Sequence, residues 1–292
     1  MQVGLFVPIG SANADGPLLR TLGREAEARG FESIWVAEHV VLFDDYDSVY
    51  PYAENGKFPG DAETGLLEPL TALTYLAAVT DRVRLGTGIC LVPQRNPVYT
   101  AKQVVDLDAL SGGRVDFGVG IGWLREEFEA LDVPFERRGA RTDDYLQVMK
   151  ALWTEETSSF EGEHYTLPPC RMYPKPVQQP HPPIHVGGES DAAMRRAARQ
   201  GQGWYSFNRR PEDLDEPLAR LDAALATAGR SRQDIELTVC PYFNEVGPDE
   251  VAGYAERGVD RLTVLCLAFD EAGLVAQLDQ LVETVLVPAG QG

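Results

Sequence analysis

Residues 33–40 read SIWVAEHV, an apolar run that ends in Glu38-His39. A carboxylate beside an imidazole is a proton-handling pair, because imidazole changes charge in the neutral range. Residues 115–128 read VDFGVGIGWLREEF, where an apolar run meets Gly118, Gly120 and Gly122 before Trp123 and a charged, helix-like stretch. Glycines at a strand end let a flat ligand lie against the backbone, or they make a tight turn. Their spacing is G-x-G-x-G rather than the G-x-G-x-x-G of a dinucleotide site, and no acidic ribose partner follows a next strand. LGTGICLVP (85–93) sets Gly86 and Gly88 inside a strand, where glycine marks a bulge or a close ligand approach. In IHVGGESDAAMRRA, Gly187 and Gly188 end a strand, and Ser190 or Asp191 can cap the helix that follows. Backbone N–H groups at such a helix start suit a phosphate.

These residues need elements to position them, and the chain supplies a regular alternation. Apolar, β-branched runs predict strands at 2–9, 33–40, 83–92, 115–122, 182–188, 203–208, 235–243 and 260–268. Helical spacing predicts helices at 17–30, 68–81, 96–113, 141–156, 191–201, 211–229, 248–258 and 271–286. Gly30 stops the first helix, while Asn96 and Pro97 fit the N-cap and first turn of the third. The strands are apolar runs more than alternating ones, as in a parallel sheet buried on both faces. Eight strand–helix units with no midpoint linker predict an α/β fold, a (β/α)8 TIM barrel forming one domain over residues 1–292. A doubly wound open sheet is the alternative. In a barrel, Glu38, His39 and the glycine pairs all fall at strand C-terminal ends, the face that carries active sites.

Two insertions break the rhythm. Residues 41–67 follow strand 2 and carry Phe43, Tyr46, Tyr50, Tyr52 and Phe58, so they read as a substrate lid or an oligomer-contact loop on the active face. Residues 157–181 precede strand 5 and read as a long αβ loop. Trp35 and Trp153 read as core, whereas Trp204 and Phe207 on strand 6 could reach the pocket.

Lys plus Arg number 26 against 45 Asp plus Glu, a net charge of −19. That balance speaks against a nucleic-acid partner and against anionic membranes. Cys90, Cys170, Cys240 and Cys266 form no C-x-x-C pair, so neither disulfides nor zinc are expected. His181 and His185 have the spacing of a helical metal pair, but Pro182 and Pro183 forbid the helix, and no metal site is expected. With no signal peptide and no long apolar span in view, the expectation is a reduced, cytoplasmic protein.

The stretches GFESIWVAEHV, LGTGICLVPQRNPVYTAKQVVDLDALSGGRVDFGVGIGW and PPIHVGG together resemble the bacterial luciferase-like monooxygenase superfamily. The likeness covers essentially the whole chain and is strongest to the branch of coenzyme F420-dependent oxidoreductases. It implies hydride transfer between a deazaflavin lying across the strand ends and a small organic substrate. It also implies a non-proline cis peptide at Gly88–Ile89 that bulges against the cofactor ring. His39 would face the ring as proton donor or orienting group, and Trp123 would stack on substrate or ring. Thr87, Gly120, Gly122 and Trp123 would line the ring and ribityl site. Gly187 and Gly188 would hold the phosphate, with Arg141 and Tyr145 facing its end. Arg195, Arg196 and Arg199 could meet the lactyl-oligoglutamate tail of F420, or form a solvated helix face.

The same outline admits reduced FMN, in a two-component monooxygenase that uses O2. A flavin or F420 reductase would then supply reduced cofactor. A barrel that binds a flavin or serves in assembly without turnover is the non-enzymatic alternative. Relatives in the superfamily are often homodimers. One departure is plain: Trp123 stands where the superfamily's deazaflavin sugar-phosphate dehydrogenase has a catalytic glutamate. Sugar-phosphate oxidation is therefore not expected, and the acid role is not carried to Glu126 or Glu127.

Overall fold

The first apolar run forms β1 (Gln2–Val7), buried from Val3 onward. The computed structural model describes residues 1–291. Its further strands are β2 (Ser33–Val36), β3 (Arg84–Thr87), β4 (Cys90–Leu91), β5 (Val115–Gly120), β6 (Ser158–Glu161), β7 (Thr166–Cys170), β8 (Ile184–Gly187), β9 (Gly203–Phe207), β10 (Glu236–Tyr242) and β11 (Arg261–Leu265). Nine of them follow the order β3-β2-β1-β11-β10-β9-β8-β5-β4, and a β3–β5 pairing closes the ring. Leu5 of β1 sits opposite Ile34 on one side and Val264 on the other, in parallel register. The barrel expected from the alternation is therefore the fold, with eight staves and β4 as a short resumption of the third.

The helices are α1 (Gly16–Arg29), α2 (Pro69–Ala77), α3 (Pro97–Ser111), α4 (Arg125–Ala130), α5 (Arg138–Thr154), α6 (Asp191–Gln200), α7 (Asp215–Thr227), α8 (Pro248–Glu256) and α9 (Glu271–Leu281). Asn96 caps α3 by accepting from the Val98 and Tyr99 amides, and Ser190, rather than Asp191, caps α6 by accepting from Ala193. Gly30 closes α1 in the left-handed region at φ 88°.

Three features differ from the sequence expectation. The third strand breaks after Thr87 and resumes as β4, and at the break stands the cis Gly88–Ile89 peptide that the resemblance implied. Residues 157–181 are not a plain loop, because β6 and β7 pair as an antiparallel hairpin. α4 is an additional short helix, and it proves central to the site.

The lower barrel interior is ionic. Asp116 of β5 accepts two hydrogen bonds from Arg84, both at 2.7 Å, and lies 3.7 Å from Arg261. His185 Nε2 stands 3.5 Å away, at the outer limit of a hydrogen bond. Arg261 also pairs with Glu32 at 2.8 Å and with Glu236. Burial alone would raise the Asp116 pKa; Arg261, His185 and Arg84 outweigh it and hold the carboxyl well below the usual range. Above this layer lie Trp35 and Tyr205, then Phe6 and Tyr242, the floor of the active face. Trp35 fills the space where a Cβ on Gly86 would come within 2.2 Å of its ring, so Gly86 serves core packing.

Asp116→Asn is expected to cost about 3–5 kcal/mol, because it leaves the buried Arg261 and the half-buried Arg84 short of counter-charge. Urea unfolding followed by circular dichroism would read this as a lower midpoint. The native carboxyl is depressed, so its contribution is present above the unfolded value of about 3.9 and is lost as pH falls below it. The variant should accordingly lose less stability on acidification than the wild type.

Candidate active site

At the strand C-terminal ends lies a cavity of about 500 Å3. Glu38 and His39 leave β2 in opposite directions. Glu38 accepts from the Leu91 amide at 2.5 Å and from Arg95 Nε at 2.7 Å, so it anchors the chain just after the cis peptide. It is not the proton partner of His39.

That partner is Glu127, on α4. His39 Nδ1 lies 3.2 Å from Glu127 Oε2, and Trp123 Nε1–H donates to His39 Nε2 across 3.3 Å. An indole N–H can only donate, so Nε2 carries the lone pair and Nδ1 the proton. Glu127 is fully buried and also accepts from the Val40 amide at 2.6 Å and from Gln94 Nε2 at 2.9 Å. Burial would raise its pKa, but the bonds from His39, Gln94 and Val40 outweigh that and hold it below the ordinary glutamate value. The next carboxylate, Glu126, accepts from the Asp47 amide and the Ser48 hydroxyl, both at 2.7 Å. α4 therefore fastens His39 with one carboxylate and the 41–67 insertion with the other.

The insertion forms one wall of the cavity with Tyr50, Tyr52, Phe58 and Leu66. Tyr50 packs edge-on against Trp123 at 5.1 Å and against Phe58 at 5.4 Å. Tyr52 meets Phe207 of β9 at 4.9 Å. Burial pushes the Tyr52 and Tyr242 phenols up to about 12, so both remain neutral hydroxyls near pH 7.

Gly120, Gly122, Gly187 and Gly188 line this cavity and Gly118 lies behind it, but their missing side chains make room for protein. A Cβ on Gly118 would fall 1.9 Å from the Thr87 carbonyl oxygen. One on Gly120 would fall 2.0 Å from Ile89 Cδ1, and one on Gly187 would fall 2.7 Å from that same atom. They admit the Thr87–Ile89 bulge, whose Gly88 and Ile89 in turn line the cavity. Gly188, at φ 97°, turns the chain into the Ser190 cap, and its carbonyl accepts from the Trp204 indole at 3.0 Å.

Of the residues expected from sequence, His39, Gly88, Ile89, Gly120, Gly122, Trp123, Gly187 and Gly188 meet around the cavity. Three stand outside its lining. Thr87 is buried behind the wall, its hydroxyl donating to Gly118 O at 2.6 Å. Arg141 ties loop carbonyls of Pro93, Pro134 and Glu136, and Tyr145 packs on Tyr165. Arg138 reaches the cavity instead, donating to Gly122 O at 3.0 Å with its guanidinium over the Phe135 ring. Among the described residues no carboxylate pairs with Arg138, whereas Glu38 pairs with Arg95 and Glu189 with Arg209. Arg196 is spent on Asp143 and Gly139, while Arg195 and Arg199 lie exposed on α6. Phe207 lines the cavity, and Trp204 belongs to the core.

The profile of the luciferase-like monooxygenase family matches residues 1–252. The chain belongs to that family. An uncharacterized protein of Mycobacterium tuberculosis is 37% identical to this luciferase-like chain over 239 residues, covering 81% of it and 82% of the relative. The FMNH2-dependent dimethylsulfone monooxygenase of Pseudomonas putida is 30% identical over 167 residues, 56% of this chain and 46% of that one. Solved structures of the same fold include the monooxygenase RslO1 of Streptomyces bottropensis, with a TM-score of 0.78 at 23% identity over 98% of this chain and 99% of that one. An F420-dependent secondary alcohol dehydrogenase shares the fold with a TM-score of 0.65 at 20% identity, covering 97% and 84% of the two chains. By family membership this chain is a luciferase-like oxidoreductase. No described helix is long and apolar enough to cross a membrane.

Proposed function

We propose that the protein is a coenzyme F420-dependent oxidoreductase acting on a small, uncharged organic substrate. The observation that carries this reading is the Glu127–His39–Trp123 chain beside the Gly88–Ile89 ridge. When bound, a deazaflavin supplies a two-electron carrier that gives or takes hydride and activates oxygen poorly. Hydride exchange at an alcohol or carbonyl carbon needs a proton to move at the adjacent oxygen, and His39 Nε2 can take that proton once the substrate oxygen displaces the Trp123 N–H from its lone pair. Glu127 then stabilises the imidazolium, and the same proton returns in the reverse direction. The residues present fit the cofactor: the ridge and the glycine wall would meet its ring, Gly187, Gly188 and the Ser190-capped helix start its phosphate, and Arg138 its anionic end. Arg138 supports a charged tail because among the described residues no carboxylate forms an ion pair with it, its bond going to the Gly122 carbonyl.

A second reading, a reduced-FMN monooxygenase fed by a separate reductase, is favoured by the likeness to the FMNH2-dependent dimethylsulfone enzyme. Titration of the protein with oxidised F420 and, separately, FMN distinguishes the two, with tryptophan fluorescence as the signal since Trp123 lines the cavity. Micromolar binding of F420 with much weaker FMN is the expected result. The reverse preference moves the assignment to the monooxygenase, and binding of neither overturns the cofactor site. Arg138→Ala should weaken the preferred cofactor by roughly tenfold or more, the scale of a charge-assisted hydrogen bond. An unchanged dissociation constant would remove Arg138 from the site.

A further inference from the structure

A second chamber of about 430 Å3 lies beside the first cavity on the same barrel face. Both are lined by Pro8, Phe58, Leu66 and Tyr242, so the partition between them is a single layer of side chains. Tyr242 holds φ 60°, in the left-handed region that a bulky residue rarely occupies. Such conformations persist where surrounding structure enforces them, and they concentrate at ligand clamps. Beyond the partition the chamber is walled by Leu267, Phe243 and Phe269, the last two 57% and 61% exposed. Large aromatic side chains left in water at a cavity mouth mark an apolar binding surface. The ionisable side chains of the lining are carboxylates, Asp61 and Glu63, together with the Tyr242 phenol, and no lysine or arginine joins them. Asp61 is engaged in capping Thr64. An anionic group, the cofactor tail included, therefore finds no counter-charge here; the guanidinium of Arg138 stands in the first cavity.

Resting on the reading above, we infer that this chamber receives the distal part of the substrate, an uncharged apolar chain or ring extending past Tyr242 from the reacting carbon. Residues facing only this chamber then set substrate length without touching the chemistry.

Linear methyl ketones from butanone to dodecanone, titrated calorimetrically into the full-length protein, test it. In the wild type, each methylene beyond the first cavity should tighten binding about fourfold until the chamber is full. Ala12→Trp, at an exposed position lining only the second chamber, should abolish that gain and leave butanone binding unchanged. Phe269→Ala, also at the surface, should flatten the gain by removing one wall, so the test survives misfolding of the first variant. Equal length dependence in wild type and both variants, or none in the wild type, overturns the inference. The F420 and FMN titrations are read separately. A protein that binds neither cofactor yet keeps the ketone profile refutes the proposed function while sparing the chamber.

Discussion

Gly118→Ala is expected to destabilise the barrel by more than about 4 kcal/mol, or to prevent recovery of soluble protein. The added methyl would sit 1.9 Å from the Thr87 carbonyl oxygen, a backbone atom with no rotamer to yield. Thr87 cannot retreat, because it pairs with Val36 in the sheet and its own hydroxyl is bonded to Gly118 O at 2.6 Å. Gly118 cannot retreat either, since it is in register with His185 on β8. The informative control is Gly112→Ala. That glycine caps α3 at φ 69° with nothing near its missing Cβ, so the change costs only the left-handed conformation, about 1–2 kcal/mol. Urea unfolding of the two variants separates overlap from conformational cost. Equal stability would mean that the space at Gly118 is open, as expected were it reserved for a ligand.

The barrel was legible because its signals are local and repeated: apolar runs, helical spacing, and caps such as Asn96 and Gly30. The active face was legible for the same reason, since strand ends are set by element order. Pairings across the barrel were not. Glu38 and His39 are neighbours in sequence, yet successive residues of extended chain point to opposite sides, which alone argues that they do not share a proton. Period-two alternation was the signal that could have separated them. Glu127 arrives 88 residues later on a helix of six residues, too short for a periodicity to announce it. Arg138 and Arg141 lie three apart on one helix, so sequence spacing cannot rank them; the loop before α5 decides which guanidinium reaches the cavity. The glycines showed where side chains are missing, but whether ligand or protein fills the gap depends on the path of Thr87–Ile89. The β6–β7 hairpin had a readable cue, a short turn containing Gly162 between two strand-like runs, obscured by the flanking prolines.

Glu127→Gln should lower turnover about a hundredfold or more, the range contributed by a positioned acid–base group. His39→Ala should lower it as far, with cofactor affinity within a few fold of wild type. The amide is nearly isosteric, so the effect comes from proton placement. Glu127 now accepts on one oxygen from Val40 and on the other from His39 and Gln94. If the amide oxygen keeps the Val40 bond, its NH2 faces His39 and Gln94. Gln94 can rotate to answer it, since its own Oε1 has no partner among the described residues. The imidazole can answer only by moving its proton to Nε2, where the Trp123 N–H already points. Two N–H groups then oppose each other, and the ring loses the lone pair that would accept the substrate proton. Nitrogen NMR of the four histidines reads this directly without cofactor or substrate. The wild type should show His39 protonated at Nδ1, because Glu127, held below the ordinary glutamate value, is the ionised acceptor facing that nitrogen. The variant should show the other tautomer or a mixture. The same tautomer in both, with turnover intact, would reduce Glu127 to a brace for the 40–41 turn and leave His39 oriented by Trp123 alone.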